Sequence, residues 1–261
     1  MASMAFALGL RDRYVWGVEK NGDVSGQVIR AAKKLAAKAG ELRFGSPVTH
    51  VYNPLAYAWK PHEVYLRKFG ATRKRVVLLG MNPGPFGMVQ TGIPFGEIAA
   101  VRDWLGIRER VGKPSPEHPR RLVTGFDCVR SEVSGQRLWG LFARRFGEPA
   151  RFFAGHIVMN YCPLAFLEES GRNRTPDKLA PAEREALTGI CDEYLRAIIG
   201  SFRPEWLIGI GDFAAKRAEK VFVGEGLRIG RILHPSPASP AANRDWAAAA
   251  TAQLRSLGVW D

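Results

Sequence analysis

Long apolar runs are missing from this sequence, and so is most of what cysteine can supply. No stretch approaches 18 consecutive apolar residues, which excludes a transmembrane helix. The opening MASMAFALGL carries a short apolar stretch with no basic flank and no clear cleavage site. A secretory leader is therefore not expected, and an intracellular location is. The three cysteines, Cys128, Cys162 and Cys191, are widely spaced and odd in number. They exclude a disulfide framework and a CxxC zinc site, argue against a four-thiolate iron–sulfur cluster, and fit a reducing compartment. His62-Glu63 opens an H-E-x-x-H pattern, but the residues up to Arg67 supply no second His. No ligand set for a metal remains, and neither metal nor cofactor is expected.

Acidic residues are also in short supply. There are 25 against 38 basic residues, a net charge of +13 on 261 residues. Such a balance points to a polyanionic partner, nucleic acid first and an anionic membrane second. The basic side is 27 Arg and 11 Lys. Arg makes planar, bidentate contacts to phosphate where Lys acts as a mobile point charge. The charge recurs in clusters, at 67–75, 108–113, 120–121, 144–145 and 172–178. Each cluster alone reads as solvated surface; together they favour a basic face. An apolar fraction of 46% is enough for a substantial core.

The first twenty-odd residues lack periodicity and read as an arm, 1–24, ahead of a single domain, 25–261. A helical pattern then starts, with Ser25 as candidate N-cap and Gly40 as its end. Four short apolar segments come next: Val76–Gly80, His156–Cys162, Trp206–Gly211 and Ile229–Leu233. They lack clean alternation, as strands buried on both faces of a parallel sheet do. Helical patterns lie between and after them, at Pro181–Ile199, Asp212–Val221 and Trp246–Leu257. The expected class is α/β, with a mainly parallel sheet and helices on both sides.

The segments at the strand ends carry the chemistry. Met81-Asn82-Pro83-Gly84-Pro85-Phe86-Gly87 comes after the first strand, Asn160-Tyr161-Cys162-Pro163 ends the second, and His234-Pro235-Ser236-Pro237 comes after the fourth. Ligands of open parallel sheets bind outside the carboxyl ends of the strands, so these segments converge. Read singly, each has an ordinary explanation. Asn82 suits a tight Asx turn, Asn160 a satisfied buried amide, His234 a strand-end His and Phe95 a core residue. Gly209-Ile-Gly211-Asp-Phe-Ala214 fits G-x-G-x-x-A, but the next strand ends in His234-Pro235 where a ribose-binding acid belongs, so a tight strand-to-helix turn explains it better.

Taken together, the segments resemble the single-strand-selective monofunctional uracil-DNA glycosylases. Gly80–Glu97 is similar to that family's first signature, His234-Pro-Ser-Pro through Asn243 to Trp246 to its second, and Asn160–Leu164 to its base-reading strand. Further likeness lies in Tyr52–Trp59, Val101–Gly106, Ser131–Gly135, Ser170–Asn173 and Gly189–Asp192. The likeness runs from about Val51 to the C-terminus. It implies a three-layer α/β/α sandwich with a short, mainly parallel four-stranded sheet. It also implies hydrolysis of the N-glycosidic bond of uracil, and of 5-hydroxymethyluracil, in DNA without a lyase step.

By the same resemblance Asn82 orients the attacking water, His234 stabilises charge on uracil O2, and Asn160 pairs with N3–H and O4. Phe95 stacks on the base, while Met81, Gly84 and Met88 complete the base site, the last two walling C5. The stretch Pro235, Ser236, Pro237, Ala238, Ser239, Pro240, Asn243 and Arg244 is expected to wedge into DNA. Family members commonly place Arg where this chain has Ala238, which weakens the expected plug and favours single-stranded or mismatched uracil. The implied partner is uracil-containing DNA, single- or double-stranded, met by a monomer. Two alternatives stay open: a relative excising xanthine or hypoxanthine, and a non-catalytic DNA-binding module on the same fold.

Overall fold

In the computed structural model, which describes residues 23–261, helix α1 (Val24–Glu41) comes first. Residues 1–22, most of the expected arm, lie outside the described residues. The cap of α1 is Asp23, not Ser25. Its carboxylate accepts the Gly26 N–H at 2.9 Å and the Ser25 hydroxyl at 2.7 Å. A carboxylate meets both the free amides and the positive end of the helix dipole, so it outcompetes a hydroxyl two residues on. The helix also runs one residue past Gly40.

The chain continues through β1 (Val48–Tyr52), α2 (Pro54–Tyr57), α3 (Trp59–Phe69), β2 (Val76–Gly80), α4 (Met88–Thr91), α5 (Val133–Phe146) and α6 (Pro149–Gly155). Then come β3 (His156–Asn160), β4 (Ala165–Glu168), β5 (Asn173–Arg174), α7 (Pro181–Phe202), β6 (Trp206–Ile210), α8 (Asp212–Val221), β7 (Arg228–Ile232) and α9 (Pro240–Ser256). Four strands form one sheet in the order β3-β2-β6-β7, every neighbouring pair parallel. All five residues of β2 and of β3 are buried; β2 is wholly apolar, and the apolar centre of β3 is flanked by buried His156 and Asn160.

A second sheet, absent from the sequence expectation, pairs β1, β4 and β5 antiparallel. Its strands are two to five residues long and mix polar with apolar positions, so no periodicity announces them. Helix α1 packs on α7 and α3, and α8 lies against β6 and β7. The core is rich in rings: Trp139, Phe142, Phe152 and Phe153 gather between α5 and α6, Phe142 stacking on Phe152 at 4.3 Å between centroids.

Register decides where the site falls. Gly80 stands opposite Asn160, and Ile210 opposite Ile232. The four strands thus end level, and the loops that leave them emerge at one edge of the sheet.

Candidate active site

Loop 81–87 does not swing free of the strand before it. The ladder continues beyond β2, with Tyr161 N–H donating to Gly80 O (2.9 Å) and Cys162 N–H to Met81 O (2.8 Å). Side-chain amides brace the rest of the loop. Asn173 donates to Pro83 O at 2.9 Å, Gln90 to Pro85 O at 3.1 Å, and Asn82 Nδ2 to Leu164 O at 3.3 Å. That last bond fixes the orientation of the Asn82 carboxamide.

Asn160 ends β3. Its Nδ2 donates to the Met88 sulfur at 3.2 Å, a weak acceptor, and its Oδ1 is buried with no partner. A buried amide oxygen left unpaired costs on the order of 1–3 kcal/mol. Such a group is retained where a ligand completes it. Phe95 has φ of +52°, in the left-handed region that ordinary side chains avoid. Two bonds to its carbonyl hold it there, from Trp139 Nε1 (2.9 Å) and from the Glu97 N–H (2.7 Å). Strain of this kind, about 1–3 kcal/mol, collects at functional sites.

His234 comes just after β7. Its Nδ1 accepts the Ser236 N–H at 3.1 Å, so Nε2 carries the proton of the neutral ring. Burial pushes its pKa down to about 4, which keeps the ring neutral near pH 7. Gly211, at φ of +91°, lies beneath it; a methyl group there would stand 3.0 Å from the His234 Cβ. On the same motif, a methyl on Gly209 would collide with the backbone of Ala215. The two glycines of the G-x-G-x-x-A match therefore serve helix packing and the seating of His234.

These groups meet in one cleft of about 410 Å³. Of the residues named from the sequence, Met81, Asn82, Gly84, Phe95, Asn160, His234, Ser236 and Pro237 line it. Met88 sits behind the wall, reaching it through Asn160. Pro237, Ala238, Pro240, Asn243 and Arg244 are exposed along the segment after His234, whereas Pro235 is buried. Ser239 is the N-cap of α9 and accepts the Ala242 N–H at 3.4 Å. Asn243 is tied inward, donating to Pro237 O at 2.8 Å. Helix α9 breaks at Asp245 (φ −157°, ψ 87°), whose carboxylate accepts the Ala248 N–H and restarts it near the expected Trp246.

Three residues without an assigned role in the sequence belong here. Arg137 on α5 donates to Pro235 O (3.1 Å) and to Asn243 Oδ1 (2.9 Å), clamping the segment after His234. Arg130 lines the cleft with its guanidinium 4.1 Å from the Phe86 ring centroid. Glu132 lines it too, ahead of α5. The likeness at Ser131–Gly135 flagged that stretch, but nothing in one sequence says which loop a helix start will touch. Among the described residues, no group of three or more His, Cys, Asp or Glu side chains is placed to hold a metal ion. No helix among them is long and apolar enough to cross a membrane.

A braced loop, an open amide and a neutral imidazole around one cleft are the equipment of an enzyme that breaks a bond to a flat heterocycle. Over residues 67–255 the chain matches the family model of the uracil DNA glycosylase superfamily, and it belongs to that superfamily. Within it, the chain is similar to the single-strand selective monofunctional uracil-DNA glycosylases of Rattus norvegicus and Mus musculus. It is 46% identical to each over 228 residues, 87% of this chain and 82% of theirs. A crystal structure of SMUG2 from Pedobacter heparinus overlays with a TM-score of 0.63 at 18% identity, covering 88% of this chain and 99% of the other. That likeness concerns the fold, and it agrees with the expected α/β sandwich and its four-stranded parallel sheet.

Proposed function

We infer that this protein is a DNA glycosylase that hydrolyses the N-glycosidic bond of deoxyuridine in DNA. The observation that carries the assignment is the buried, unpartnered Oδ1 of Asn160 beside an Nδ2 whose present partner is only a thioether. Uracil offers N3–H to the first and O4 to the second. Cytosine reverses both polarities and would leave buried groups unpaired.

With the base between Asn160 and Phe95, Asn82 Oδ1 positions a water for attack on C1′. The C1′–N1 bond breaks with its electron pair passing to uracil, the water oxygen bonds to C1′, and the proton the water gives up goes to the uracil anion or to solvent, leaving an abasic site. An amide is too weak a base to deprotonate water first, so Asn82 acts by orientation. His234 Nε2–H donates to O2 as negative charge grows there. A preorganised donor of this kind is worth about 2.7–4 kcal/mol of barrier. Among the described residues no Lys lines the cleft to serve as nucleophile for a covalent lyase step.

With no side chain on Gly84, Glu132 shares the wall taken to face C5, where the substituent of 5-hydroxymethyluracil would sit. Ala238 supplies little to fill a vacated base stack, which favours single-stranded or mismatched substrate. One chain supplies every group named, in keeping with a monomer whose catalytic domain is 25–261. Free thiols and a DNA substrate fit an intracellular enzyme.

The test is release of base from single-stranded oligonucleotides carrying uracil, 5-hydroxymethyluracil, xanthine or hypoxanthine, read by alkaline cleavage of abasic sites. Uracil is expected to be cut. Asn82→Ala and His234→Ala should each lose roughly 100-fold or more in rate, the scale of one lost transition-state contact, with DNA affinity changed only a few-fold. Cleavage at none of the four bases would leave only a DNA-binding module.

A further inference from the structure

Among the described residues Glu132 is the one acidic side chain lining the cleft, and no step of the hydrolysis uses it. The residue retains some exposure, but one oxygen of its carboxyl does not. Oε2 is buried and has no hydrogen-bond partner. The carboxyl lies against the two glycines of the loop after β2. A methyl group on Gly84 would collide with Oε1, and one on Gly87 with both oxygens. Gly84 thus lacks a side chain because the Glu132 carboxyl fills that side chain's place.

The position fixes which edge of the base it meets. Asn160 takes the N3 and O4 edge, His234 takes O2, and Asn82 faces the sugar. The edge left over is C5, bounded by the wall that Gly84 and Glu132 form together. We propose that Glu132 is a specificity-determining residue whose carboxyl hydrogen-bonds a hydroxylated substituent at C5 of the target pyrimidine. The inference rests on the uracil-glycosylase assignment and deepens it.

The chemistry suits that class of base. The charge that acts on Glu132 is that of Glu97, and Arg130, Ser131 and His234 line the same cleft. Ser131 is committed to Glu97, donating to its Oε1 at 3.0 Å, and Glu97 Oε2 accepts the Ala100 N–H at 2.8 Å. Arg130 is engaged on the Phe86 ring. Burial first, then the charge of Glu97, raise the Glu132 pKa to about 7, so the acid is protonated in mildly acidic solution. A protonated carboxyl both donates and accepts, as a hydroxymethyl group does. The methyl of thymine does neither, and would leave the carboxyl desolvated and unpaired.

The experiment compares single-turnover rates near pH 6 on single-stranded oligonucleotides carrying uracil or 5-hydroxymethyluracil. The proteins are the wild type, Glu132→Gln, Glu132→Met and Gly84→Ala. The readout is the ratio of the 5-hydroxymethyluracil rate to the uracil rate. Glu132→Met, apolar and of equal reach, is expected to lower that ratio about tenfold or more, the scale of one lost hydrogen bond. Glu132→Gln, which still donates and accepts, should hold it within about threefold. Gly84→Ala, whose methyl group claims the carboxyl's place, should move it in the same direction as Glu132→Met. An unchanged ratio in Glu132→Met and Gly84→Ala, or equal loss on both substrates in every variant, overturns the proposal. A wild type that cuts uracil while the ratio ignores residue 132 sinks this inference alone. A wild type that cuts neither base sinks the assignment beneath it.

Discussion

Acid should unfold this protein through its histidines, and the size of the effect can be worked from three of them. His62 donates from Nδ1 to Gly92 O at 2.8 Å while its Nε2 is buried without a partner. His156 is bonded at both nitrogens, Nδ1 with Phe152 O at 3.2 Å and Nε2 with the Trp260 indole N–H at 3.2 Å. His234 accepts from Ser236. Burial lowers each from 6.5 to about 4. An unfolded chain therefore binds protons at these sites below pH 6.5 that the native chain refuses until about pH 4. Where the unfolded state holds more protons, stability falls as pH falls. At about 1.36 kcal/mol per pH unit, each histidine removes about 3 kcal/mol across that window.

Glu132 works in the opposite sense. Raised from 4.5 to about 7, it is protonated in the native state between those values and ionised in the unfolded one. It cancels one of the three, leaving a net uptake of about two protons on unfolding near pH 5.5, a slope of roughly 2.7 kcal/mol per pH unit. From about pH 6.5 to about 4.5 that amounts to about 5 kcal/mol, the lower end of the roughly 5–15 kcal/mol by which domains are stable. The carboxylates with lowered pKa values, such as Asp23 and Glu63, lose their contribution only below that point. Urea unfolding at half-unit steps from about pH 7.5 to 4.5 measures the slope. His62→Phe should reduce it by about one proton, and Glu132→Gln should steepen it by about one. A stability flat across that range, or a slope that ignores both substitutions, would refute the reasoning.

Two further outcomes test the cleft and its rim. Ala238→Arg should raise activity on uracil paired in a duplex at least several-fold, with less change on single strands; equal effects on both would separate residue 238 from base extrusion. In Gly80→Ala the new methyl group would collide with Asn160 Oδ1 and press on the Phe95 ring. Overpacking of this kind costs about 1–3 kcal/mol in stability. The uracil rate should fall roughly 100-fold, as a small misplacement of positioning groups does, in a protein that still melts cooperatively. A near-normal rate would remove Asn160 and Phe95 from base binding.

The parallel sheet was legible because its strands are continuous apolar runs, and a run such as VVLLG has few other uses. The second sheet was not, since β1 and β4 are short and become strands only by pairing across more than a hundred residues. Asn82, Asn160 and His234 could be placed together from their positions at strand ends, before any likeness to a family. Arg137, Glu132 and Asn173 could not. Their roles depend on which loop they touch, and contacts between distant segments leave no spacing in the sequence to read. The cap of α1 went to Asp23 for a local reason, the stronger acceptor winning over the neighbouring hydroxyl.

Helix α5 carries Glu132 ahead of its first turn and Arg137 about one turn further on. One faces the floor of the cleft; the other clasps the strip proposed to meet DNA. The two proposed tasks, choosing a base and meeting the strand it came from, therefore hang on one helix. A shift of that helix would disturb both at once. On the proposed roles, exchanging one side chain on α5 would alter one task, whereas moving the helix would alter both.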